Sequence, residues 1–126
     1  MMNYKSVVVI LIAIGVFACG NDDHIRPNLI NGAYVGTFER QNNASNVILN
    51  FQNGQFTGES DTTKFPAICN GNYQISKNSI TFENLCPWTA EFDWTLILSG
   101  MWNFQISGEE LILTNSAGDK YTLTKQ

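Results

Sequence analysis

The side chains in this sequence with chemistry beyond packing are three cysteines, one histidine and fifteen aromatics. Nucleophilic catalysis needs a base beside its nucleophile, yet no histidine lies within residues 31–126 and no Gly-x-Ser-x-Gly turn is present. A Walker-type phosphate loop is also missing. Metal binding would rest on carboxylates, and Glu91-Phe92-Asp93 is the nearest pair. On a strand, Glu91 and Asp93 point to the solvated face opposite Phe92. Glu109-Glu110 sits at a turn and has the same explanation. The expectation is therefore a protein that is not an enzyme, with no cofactor and no metal. The net charge is −4, and six basic residues follow Cys19. Nucleic acid is thus excluded as a partner, since phosphate contacts need clustered Lys and Arg.

The first cysteine is explained by what precedes it. Lys5 supplies one positive charge, and Val7 through Phe17 form an apolar run too short to span a bilayer, which takes about 20 residues. Such a run fits the core of a secretory signal peptide. It ends in Val16-Phe17-Ala18-Cys19, which resembles a bacterial lipobox, although Phe17 is bulkier than the usual residue there. That resemblance implies cleavage after residue 18 and lipidation of Cys19, with palmitate among the acyl chains. It also implies a lipid-anchored protein of the bacterial outer membrane, on the periplasmic or the cell-surface face. Residues 19–30 read as the lipidated cysteine and a flexible tether containing His24 and Pro27. The acidic pair Asp22-Asp23 resembles the surface-export tether of Bacteroidetes lipoproteins, and a plain solvated linker is the alternative.

From Asn31 onward apolar residues recur at every second position, the period of strands. Asn53-Gly54 lies between Phe51 and Phe56, a strong hairpin signal because both turn residues accept positive φ. Pairing Gln52 with Gln55 then sets Phe51 opposite Phe56 and Leu49 opposite Gly58. A turn at residues 76–79 pairs Ile75 with Ile80, Tyr73 with Phe82, and Gly71 with Asn84. The same register sets Cys69 against Cys86, which in an exported protein reads as a cross-strand disulfide. Phe92, Trp94 and Leu96 alternate toward Gly100, and Trp102, Phe104 and Ile106 alternate away from it. Two-residue and three-residue turns at Gly108-Glu109 and Ser116-Ala117-Gly118 bring Ile106 to Leu111, Leu113 to Tyr121 and Leu111 to Leu123. The fold class is all-β: an up-and-down antiparallel meander of eight or nine short strands over 31–126, forming a barrel.

The signal and lipobox, the opening Gly32-Ala33-Tyr34-Val35-Gly36-Thr37-Phe38 and the closing Asp119-Lys120-Tyr121-Thr122-Leu123 resemble small bacterial lipoproteins with a lipocalin-like domain. Cys69-Asn70-Gly71-Asn72-Tyr73, with Gly-Glu-Glu-Leu-Ile-Leu at 108–113, is also similar to META-type envelope domains. The first resemblance implies a binder of small apolar or amphipathic ligands, the second an envelope-stress or secretion-linked role. Two functions follow from the aromatics. In one, Tyr34, Phe38, Tyr73, Trp94 and Trp102 line a ligand pocket inside the barrel. In the other the barrel is filled, and loops 61–67 and 86–91 contact an envelope protein or glycan through Trp88 and Phe65. Asp61-Thr62-Thr63 resembles a Bacteroidetes O-glycosylation site, with Thr62 as the acceptor.

Overall fold

The computed structural model describes residues 27–89 and 91–126. The leader, Cys19 and His24 lie outside the described residues. Eight antiparallel strands follow one another around a closed barrel: β1 Gly32–Arg40, β2 Asn43–Gln52, β3 Gln55–Ser60, β4 Asn70–Ser76, β5 Ser79–Asn84, β6 Gly100–Ser107, β7 Glu110–Thr114 and β8 Lys120–Lys125. Closure comes from β1 pairing with β8, where Gly36 faces Leu123 and Phe38 faces Tyr121.

Alternation in the sequence becomes inside and outside in the barrel. In β2, Ser45, Val47, Leu49 and Phe51 are buried while Asn46, Asn50 and Gln52 are exposed. The interior is apolar, and the exterior is mostly polar with Val35, Ile48, Met101 and Ile106 exposed among the polar side chains. The expected registers are present. Phe51 pairs with Phe56 and Leu49 with Gly58, around a turn whose Asn53 and Gly54 have φ of 49° and 92°. Tyr73 pairs with Phe82, Ile106 with Leu111, and Leu113 with Tyr121.

Bulky rings fill the interior. Tyr34 meets Phe51 edge-on at 5.5 Å, and Phe51 meets Tyr73 at 5.5 Å. Nearer the other end, Phe38 packs on Tyr121 at 4.9 Å and Tyr121 on Trp102 at 5.2 Å. Strands this crowded must bend sharply, and glycine makes room at the bends. A β-carbon on Gly71 would overlap the Glu83 carbonyl oxygen, and the Phe56 ring covers the gap from the neighbouring strand.

The two barrel ends differ. At one end, three tight turns at residues 53–54, 77–78 and 108–109 meet the incoming chain. There Pro27–Ile30 forms a 3-10 turn, and Ile30 is buried in the core. Asn31 locks this entry to the first hairpin: its Nδ2 donates to Asn53 Oδ1 at 3.0 Å, and Asn53 N–H donates to Asn31 Oδ1 at 2.8 Å. The structured chain thus begins at least four residues before Asn31, because Ile30 is an apolar residue the barrel end needs as a plug.

The opposite end carries two long connections, 61–69 and 85–99. Cys69 and Cys86 lie there at disulfide distance, with Cα atoms 6.2 Å apart and a sequence separation of 17. A bond closing a loop of that length stabilises by about 3 kcal/mol through the unfolded state. Cys69→Ser should therefore lower unfolding stability by about 3 kcal/mol in urea titration. Reductant should produce the same loss in the wild type and none in the variant.

Candidate functional site

The long-connection end is covered by its own loops. Ala67 N–H donates to the Leu96 carbonyl at 2.9 Å, and Leu98 N–H donates to the Ala67 carbonyl at 3.0 Å. This two-bond bridge draws the connections together over the barrel mouth and buries Ala67, Ile68, Ile97 and Leu98. Phe65 turns inward beneath it and meets Phe38 edge-on at 5.4 Å. Ser45, buried on β2, donates its hydroxyl to the Phe65 carbonyl.

An ion pair holds the rest of the rim. Arg40, at the end of β1, grips Asp119 with two parallel hydrogen bonds, Nε to Oδ1 at 2.8 Å and Nη2 to Oδ2 at 2.7 Å. Its remaining nitrogen, Nη1, reaches Asp93 Oδ2 at 3.0 Å. One guanidinium therefore ties three segments together: β1, the β7–β8 loop and the β5–β6 connection. Asp119 is 2% exposed, and Asn115 donates to it as well. Hydrogen bonding to Arg40 holds the Asp119 carboxyl below the usual carboxylate range, against the opposing effect of burial. Asp93 is also lowered, first by hydrogen bonds from Thr95 and then by Arg40.

Asp93 explains a departure from the expected strand at 92–98. Its carboxylate accepts from the Thr95 N–H at 3.0 Å and caps a 3-10 turn over Trp94–Leu96. The turn breaks the alternation of Phe92, Trp94 and Leu96, so β5 pairs directly with β6 and the described barrel has eight strands. Trp94 is consequently not in the interior; it is 56% exposed on the outer rim. Glu91 and Asp93 likewise do not lie on a strand face. The other four residues expected to line a pocket, Tyr34, Phe38, Tyr73 and Trp102, are buried against other core rings. Burial raises the Tyr34, Tyr73 and Tyr121 hydroxyls above their ordinary range.

The rim aromatics form a row. Trp88, half-buried, meets Phe92 at 5.9 Å, and Phe92 lies 6.1 Å from Trp94 with the two planes 33° apart. Lys64 of the facing loop sits 5.0 Å from the centre of the Phe92 ring. A groove of about 620 Å³ runs beside this row, with Asn84, Pro87, Trp88, Trp94 and Ser99 in its walls. Thr62 is exposed at the same end, with its hydroxyl donating to Asp61 at 3.2 Å. Of the two loop residues expected as partner contacts, Trp88 lines the groove and Phe65 packs on the core instead.

Sequence reasoning missed the Arg40 clamp. A signal was available, since Arg40 is the sole arginine from residue 31 onward, but its partner lies 79 residues away. No known protein family, curated protein or solved structure matches the chain; its closed eight-stranded antiparallel meander is compatible with a lipocalin-like fold.

Proposed function

We propose that the protein is a non-enzymatic, lipid-anchored envelope lipoprotein of the Bacteroidetes type. Its barrel serves as an interaction module and holds an aromatic rim toward a partner. The observation that carries this reading is the split among the aromatics. Those of the barrel interior pack against one another, whereas Trp94 stands in solvent beside a groove. An apolar ligand inside the barrel would have to displace rings such as Phe51 and Tyr121, each 1% exposed. A rim ligand displaces none of them.

The described chain enters the barrel at the end opposite the rim, so a lipid on Cys19 would be tethered through that end. Seven residues separate Cys19 from Pro27, which allows at most about 29 Å of extended chain between a lipid on Cys19 and the plugged end.

Two measurements test the reading. Cys19→Ser should move the protein from the detergent-rich to the aqueous phase on cloud-point partitioning of cell extracts, because the anchoring lipid is lost. Persistence in the detergent phase would remove the anchor. A photo-crosslinking side chain at Thr89, exposed beside Trp88 and leaving Trp94 in place, should capture envelope material in intact cells, and one at Ile48 on the barrel wall should not. Equal capture from both positions would remove the rim as a site.

A further inference from the structure

We infer that the groove beside Trp88 and Trp94 binds a neutral polysaccharide chain, gripping its pyranose rings. This deepens the interaction reading above and rests on it. The first ground is shape and chemistry together. A pyranose ring has a flat apolar C–H face and an equatorial belt of hydroxyls. It therefore needs an exposed aromatic plane with fixed hydrogen-bonding groups at its edge. Trp94 supplies the plane, and the Phe92 ring lies next to it in the row, 6.1 Å away and tilted by 33°. Ser99 supplies an edge hydroxyl in the same groove, and Glu83 adds a carboxylate.

The second ground is rigidity. Binding a flexible sugar chain costs conformational entropy, so the site gains by being ordered beforehand. The wall opposite Trp94 is fixed by several independent devices. Cys86 is tied to Cys69, and Pro87 follows it. The Trp88 indole N–H donates to Asn84 Oδ1 at 3.2 Å, and Asn84 Nδ2 donates to the Cys86 carbonyl at 2.7 Å. On the Trp94 side, Asp93 caps the turn and is itself held by Arg40.

Charge and extent select the occupant. Glu83 lines the groove, and Glu91 and Asp93 edge the row. Against them stand Lys64 over Phe92 and an Arg40 already paired with Asp93 and Asp119, so the local charge is negative and disfavours an acidic glycan. A protein partner usually buries about 800 Å² around an apolar centre depleted of charge. Here the aromatic row is bordered by exposed Thr89, Glu91, Asp93 and Thr95, so the apolar strip is narrow. A narrow aromatic strip edged by polar groups fits a sugar chain better than a protein face.

The test is native affinity electrophoresis of the full chain in detergent micelles, through gels cast with dextran, mannan, xylan or the acidic polymer alginate. Retardation is expected in at least one neutral gel and not in alginate. Trp94→Ala should weaken it about tenfold or more. Trp94 is exposed, so the variant should keep the wild-type thermal midpoint. Glu83→Gln, also at an exposed residue, should keep the fold and change retardation in the same neutral gel. No retardation in any neutral gel, retardation in alginate alone, or equal retardation of Trp94→Ala would overturn the proposal. If the gels show nothing but a crosslinker at Thr89 still captures an envelope protein, the glycan is wrong and the interaction module stands. If both fail, both readings fall.

Discussion

Gly36→Ala should destabilise the barrel by about 3 kcal/mol or more, a large share of what a domain of this size possesses. The added β-carbon would overlap the Thr122 carbonyl oxygen and stand 2.8 Å from Leu123 Cα. Both belong to β8 backbone, where Gly36 faces Leu123 across the seam that closes the barrel. A side chain at the end of a flexible stem could move aside, but a strand backbone paired on both edges cannot. Relief therefore requires opening the β1–β8 seam. The matched control is Gly108→Ala. That glycine has φ of 63° and open space around the position of its missing β-carbon. Only the left-handed conformation is then penalised, at about 1 kcal/mol. Urea titrations of the two variants should differ severalfold in lost stability. Similar losses would show that Gly36 is kept for its flexibility and not for the closeness of β8.

Arg40→Ala should cost about 3 kcal/mol at neutral pH, the low end for breaking a buried pair, because the arginine side chain is 19% exposed and the pair sits at the rim. The loss arises from stranding a charge: Asp119 stays almost fully buried with Asn115 as its remaining side-chain donor. The pH dependence separates this cause from lost packing. In the wild type the folded carboxyl of Asp119 titrates below its unfolded value. Its contribution is therefore complete above the ordinary value of about 4 and fades as pH falls through the lower folded value. In Arg40→Ala the largest cause lowering the Asp119 carboxyl is gone, so it should titrate higher than in the wild type, and protonation relieves part of the loss. The stability gap between the two proteins should narrow as pH is lowered from 7 toward 3. A gap that stays constant across that range would assign the loss to the arginine stem packing on the rim.

Legibility in the sequence followed the distance over which each contact acts. The turn residues Asn53 and Gly54 fixed the register of β2 on β3, and the registers of β4 on β5, β6 on β7 and β7 on β8 followed by the same reasoning. The cysteine pair emerged from that register without being assumed. Error entered where a local pattern met a competing local bond. Phe92, Trp94 and Leu96 have strand spacing, yet Asp93 between them is a capping residue and Arg40 was there to hold it. Moving Trp94 from the interior to the rim changed the functional reading, because it took a ring out of the core and placed it beside the groove.

The sequence by itself determined an all-β meander, the inward faces of the strands flanking its tight turns up to Phe104, and the pairing of hairpin neighbours. These depend on a two-residue period and on turn chemistry, both readable over a few positions. Tertiary structure alone decided that β1 closes on β8 and that Ala67 bridges to Leu96 and Leu98 across the mouth. It also decided that one arginine joins segments 53 and 79 residues away. Those contacts carry no local signature, because their partners meet only after the chain has gone around the barrel. The candidate site is made of such contacts. Its aromatics could be counted in the sequence, but their placement in solvent depends on how two distant loops lie against each other.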